Sequence, residues 1–78
     1  MPTILRKGSL RFFFYSNEGT EPPHVHIQED KRLAKFWLEP VSLSWSTGFR
    51  AHELSKIERI VSVQQEKLKE TWREFFTT

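Results

Sequence analysis

The sequence predicts an α+β fold: a small antiparallel meander of four to five strands over residues 1–48, then one long C-terminal helix over residues 49–76. Two observations carry this. The first 48 residues hold short alternating or aromatic runs separated by Gly, Pro, Asn and Asp, the punctuation of strands and turns. After that the period turns helical, with Leu54, Ile57, Ile60, Val61, Leu68, Trp72 and Phe75 close to an i, i+3, i+4, i+7 stripe and no Gly or Pro among them. Seventy-eight residues make one domain, near the size where a single core is barely sufficient. No cysteine is present to staple it or to offer a thiolate metal ligand. The core must come from seven Phe, three Trp and one Tyr, each able to bury roughly 150–250 Å².

Each element has its local reason. Residues 3–6 and 10–15 are β-prone runs joined by Lys7-Gly8-Ser9, which reads as a hairpin. In the second run Leu10, Phe12 and Phe14 point one way, and Arg11, Phe13 and Tyr15 the other. Both faces are apolar, a first hint of association. Residues 16–23 are a loop, because Asn17 and Gly19 tolerate the left-handed region and Pro22-Pro23 forces an extended exit. Either X-Pro bond there is open to the cis form. Residues 24–29 alternate, with Val25 and Ile27 inward and His24, His26 and Gln28 outward. Asp30-Lys31-Arg32 turns the chain into a strand at 33–38, Glu39-Pro40 breaks it, and 41–45 forms a fifth short strand.

The helix raises a question of length. From Ala51 to Phe76 the helical pattern covers twenty-six residues, roughly 39 Å at 1.5 Å each, whereas five- or six-residue strands span roughly 17–20 Å. Gln64 and Gln65 also interrupt the stripe between Val61 and Leu68. The first half is expected on the sheet. The half carrying Leu68, Trp72, Phe75 and Phe76 either folds back against the Phe12 to Phe14 strand or supplies a partner interface.

Charge excludes some functions. Twelve basic and ten acidic residues leave a net +2, mixed along the chain, without the clustered Lys and Arg of a nucleic-acid binder. Weak RNA binding remains open at a pI near 9.2. No stretch approaches the ~20 apolar residues of a membrane span and no signal region opens the chain, so a cytoplasmic protein is expected.

If the chain has a site, it lies in residues 16–26, where two carboxylates, two imidazoles, an Asn and a Pro-Pro gather. Tyr15, Asn17, Glu18, Glu21, His24 and His26 make the expected binding surface. His24 and His26, two apart on a strand, leave the same face, the spacing two imidazole ligands of a metal need. The same spacing is common on strands without metal, so no cofactor or metal is assigned. A histidine near its reference pKa can also act as general acid or base, and with Glu18 or Glu21 beside it can cleave RNA at the ribose 2′-hydroxyl. The plainer reading leaves His24 and His26 on a wet strand face, capping the loop by hydrogen bonds.

The runs Met1-Pro2-Thr3-Ile4, Phe12-Phe13-Phe14-Tyr15-Ser16-Asn17-Glu18-Gly19, Glu21-Pro22-Pro23-His24-Val25-His26, Ala34-Lys35-Phe36-Trp37-Leu38 and Leu54 with Ile57-Glu58-Arg59-Ile60-Val61 resemble the bacterial domain of unknown function 4160. The resemblance implies a gene beside another short gene, as in type II toxin–antitoxin pairs, and a protein that works with its neighbour's product, as the toxin or as its binding partner. It implies no catalytic residues. Arg50 departs from the Ser or Asn expected at the helix cap. The expected function is therefore a protein-interaction member of a toxin–antitoxin-like pair, with homo-oligomers and RNA as further partners. A metal-independent endoribonuclease using His24 or His26 is the alternative. The lack of a helix-turn-helix pattern argues against an operator-binding role.

Overall fold

The five strands lie side by side in the order in which the chain makes them. The computed structural model describes residues 3–77. Strands β1 (Thr3–Lys7), β2 (Leu10–Phe13), β3 (His24–Glu29), β4 (Arg32–Leu38) and β5 (Val41–Thr47) form one antiparallel sheet, β1-β2-β3-β4-β5. The β1–β2 turn uses Gly8 at φ 60°, where a side chain would be strained. The β3–β4 turn uses Asp30 at φ 55°, which a short polar side chain tolerates. Glu39–Pro40 is the one cis peptide among the described residues, so both bonds of the Glu21-Pro22-Pro23 run are trans.

The C-terminal region is two helices, not the one long helix expected: α1 (Ala51–Val63) and α2 (Gln65–Phe76). The break sits at Gln64, whose φ −95°, ψ 9° leaves the helical region. No Gly or Pro causes it. Gln65 Nε2 donates to the carbonyl of Leu38 at 2.7 Å, tying the bend to the end of β4. A straight helix would overrun the sheet, and the bend returns the apolar face of α2 to it. At the other end Arg50 serves as N-cap without a side-chain cap. Glu53 makes the return half of a capping box, accepting the Arg50 N–H at 2.8 Å.

One face of the sheet and the two helices enclose the core. Leu10, Phe12, Phe14, Val25, Ile27, Ala34, Phe36 and Leu38 meet Ile57, Val61, Leu68 and Trp72, with Phe75 and Phe76 packed against them. Of the two courses open to the last helical half, the chain takes the inward one. Trp72 stands edge-on to Phe14 at 5.2 Å, and Phe75 and Phe76 lie 6.1 and 6.2 Å from the same ring. Leu68 and Trp72 are thereby buried within the chain and present no free surface.

Candidate functional site

The other sheet face carries the histidines, and it is not the wet face expected. His24 is 0% and His26 2% exposed. The pairing explains the crowding: Phe13 lies opposite His26 on β2, Lys35 opposite His26 on β4, and Trp45 opposite Lys35 on β5. Four large side chains thus form one row across the sheet. Phe13 stacks on His26 at 5.6 Å, and Tyr15 meets the same ring edge-on at 4.5 Å. Trp72 of α2 reaches His24 at 4.7 Å, so one indole borders both the core and this cluster.

The 14–23 segment closes over the row and delivers Glu18 to it. Two backbone hydrogen bonds coil the segment, Glu18 N–H to Tyr15 C=O and Glu21 N–H to Glu18 C=O. Glu18 Oε1 then lies 2.8 Å from His24 Nε2 and 2.7 Å from His26 Nε2. Burial pushes the Glu18 carboxyl up, but the hydrogen bonds and charges of His24 and His26 together outweigh it and hold it below its ordinary value. Burial also dominates at His26 and pulls it down, against the partial restoring effect of Glu18.

Proton positions follow from the partners. His24 Nδ1 donates to the Pro22 carbonyl at 2.9 Å, which accepts only. Its Nε2 then faces the Glu18 carboxylate oxygen, so a second proton or another cation must sit in that contact. His26 Nε2–H donates to Glu18, leaving Nδ1 a buried lone pair with no partner among the described residues. Such an orphan costs about 1–3 kcal/mol. This cost is a mark of a cluster shaped by something besides stability.

Glu21 does not join the imidazoles directly. Its Oε1 accepts from Lys35 Nζ at 2.6 Å, and it stays 3.8 Å from His24 Nδ1. Lys35 is only 7% exposed and lies 4.5 Å over the Trp37 ring. Of the expected binding surface, Glu18, His24 and His26 are brought together, Glu21 is held by Lys35 instead, Tyr15 packs on His26, and Asn17 is exposed on the loop. Lys35 joins the cluster from outside the expected binding surface, although as a cation beside the histidines it suits the ribonuclease alternative. Its signal was its register, directly across the hairpin from His26.

A second feature lies at the sheet edge. β5 pairs with β4 alone, carries no charged residue, and exposes Leu43 (41%) and Trp45 (42%). A register shift pairs Leu43 with Phe36 and Trp45 with Lys35, two residues on β5 against neighbours on β4. Trp45 lies 6.1 Å from His26, so this edge adjoins the histidine cluster.

No helix among the described residues is long and apolar enough to cross a membrane. Among curated proteins and solved structures, nothing matches the chain. The family model "Domain of unknown function (DUF4160)" matches residues 9–73, which span β2 through most of α2 and include every residue of the cluster. The chain belongs to the DUF4160 family.

Proposed function

We propose that this protein is a protein-interaction module, one member of a toxin–antitoxin-like pair, and that it takes its partner along β5. The observation that carries the reading is an uncharged, partly exposed edge whose one guard is the register shift opposite Lys35 and Phe36. Natural sheets protect edge strands with charge, proline or a covering element, because unpaired N–H and C=O groups recruit further strands. The seven residues of β5 have no charged side chain and no proline, and they hold two of the large exposed hydrophobics of the described chain. An extended segment of the neighbouring gene's product pairing with β5 would bury Trp45 and satisfy the edge, the strand-addition mode of recognition. The interface thus moves from the helix end, where Leu68 and Trp72 serve the core, to the opposite edge of the sheet. Phe75 and Phe76, half-buried against Phe14, remain within the chain as well.

The test is titration of the neighbouring gene's product with wild type, Leu43→Lys and Trp45→Lys. Charge on the edge should weaken binding by at least about tenfold, roughly 1.4 kcal/mol, with circular dichroism unchanged. Equal affinity in all three proteins removes β5 as the docking strand.

The endoribonuclease reading draws on two imidazoles, a carboxylate and Lys35 within one cluster. Burial argues against it, since a general base must come within hydrogen-bond reach of the ribose hydroxyl. His24 and His26 are closed off by Glu18, Tyr15 and Trp72. An RNA-cleavage assay of wild type, His24→Ala and His26→Ala distinguishes the two readings: cleavage lost in either variant would favour the enzyme.

A further inference from the structure

We propose that Glu18, His24 and His26 bind one divalent cation of the zinc class, and that this cation fastens the 14–23 segment to the sheet. This goes beyond the edge-docking reading and is independent of it. It also takes up the metal reading that the spacing of His24 and His26 raises and that the sequence alone leaves unassigned.

Three observations lead there. First, one carboxylate oxygen and two ring nitrogens converge, all within 4.8 Å of one another, from the loop and from two positions of β3; on His26 the ion would take the place of the Nε2 proton, and the neutral ring would carry its proton on Nδ1 instead. Second, the Pro22 carbonyl holds the His24 proton on Nδ1 and turns the Nε2 lone pair toward Glu18. A lone pair aimed at a carboxylate oxygen is repulsive until positive charge lies between them. Metal-bound histidines use this same arrangement, donating the far ring N–H to a carbonyl that fixes the tautomer. Third, Glu21 is already engaged by Lys35, so Glu18 is the one carboxylate directed at the two rings.

The donor set selects the kind of ion. Two imidazoles and one carboxylate, with no thiolate in the chain, suit a borderline cation such as Zn²⁺ or Co²⁺. Ca²⁺ and Mg²⁺ prefer six or more oxygen ligands. Ligand bonds of about 2.0–2.1 Å in a tetrahedral site set ligand atoms roughly 3.3 Å apart. The present contacts of 2.7 and 2.8 Å would therefore open by roughly half an ångström. Glu18 rides on the loop, so a small shift of its side chain supplies that distance. A water or the second Glu18 oxygen completes the fourth position. Burial of both rings points to an ion that holds structure rather than one that meets a substrate. Its effect would be to convert a loop held by hydrogen bonds into one cross-linked to β3.

The experiment uses the full chain, stripped with a chelator and titrated with Co²⁺ and then Zn²⁺. The expected result is one cobalt per chain, visible d–d absorption of a low-coordinate centre, its displacement by Zn²⁺, and a higher melting temperature. Glu18→Ala and His26→Ala should each weaken binding at least about tenfold. His52→Ala, which removes the exposed histidine on α1, should leave binding unchanged. The wild-type cobalt spectrum stands even where a variant fails to fold. Absence of cobalt absorption and of any melting shift in excess metal overturns the proposal. So does binding that persists in both cluster variants or that disappears with His52.

Discussion

Glu18 uses a single oxygen to bridge two buried imidazoles, and this makes the cluster sensitive to acid in a definite direction. His26 faces Glu18, His24 and Lys35, and its folded value lies below its ordinary 6.5, chiefly through burial. As pH falls through 6.5 the unfolded chain takes up the proton first. The stability gained from a neutral His26 is therefore complete above that value and is lost on acidification toward the folded one. Glu18 acts in the same sense at lower pH. Its folded value lies below 4.5, so its contribution is present above 4.5 and lost as pH falls through the folded value. For chelator-treated protein we expect the melting temperature to decline in two steps, the first as pH falls below 6.5 and the second as it falls below 4.5. Glu18→Gln should lose the lower step, because an amide does not titrate. A flat profile across this range would show that the cluster is open to solvent in the folded state.

At the scale of elements, the contact that seats the 14–23 segment is Gly19 against Phe76 of α2. A Cβ added at Gly19 would come 2.5 Å from Phe76 Cδ1. Gly19 is exposed and Phe76 half-buried, so Gly19→Ala should destabilise by about 1 kcal/mol, the low end of the cost of added volume, as the Phe76 ring gives way. Adding Phe76→Leu should recover part of that loss, since the smaller side chain clears the space. Urea unfolding of the two variants measures both effects, and full stability of Gly19→Ala would mean that the segment does not rest on α2. This contact also shows what was legible in the sequence. The alternation of His24, Val25, His26 and Ile27 gave the strand and placed the two rings on one face. It could not give their cover, because Glu18, Tyr15 and Trp72 arrive from the loop and from the far end of the chain. The two-helix break was half legible: Gln64-Gln65 interrupted the stripe and the length overran the sheet. The bend is tied by a hydrogen bond from Gln65 to Leu38 of another element, a contact that no local rule for Gly or Pro can report.

For the molecule as a whole, Trp72 is where core, cluster and helix end meet. Its indole lies 5.2 Å from Phe14, 4.1 Å from Phe76 and 4.7 Å from His24, and the residue is 5% exposed. A helix end reserved for a second chain would leave this ring in solvent, and its removal would spare the folded monomer. The observed packing implies the opposite. Truncation of a buried Trp to Ala costs about 3–5 kcal/mol through lost transfer energy and the cavity left behind. Domains of this kind have about 5–15 kcal/mol in total. Trp72→Ala should therefore lower the urea midpoint sharply, by at least about a fifth of the folding free energy. It should also loosen His24, so His26→Ala made in the Trp72→Ala background should cost less than in wild type, a coupling that a double-mutant cycle reads directly. Phe75→Ala, at a half-buried ring on the rim of the same group, should cost less than Trp72→Ala. An unchanged urea midpoint for Trp72→Ala, together with a loss of mass in light scattering, would instead place α2 against a second copy of the chain and move the interface back from β5 to the helix.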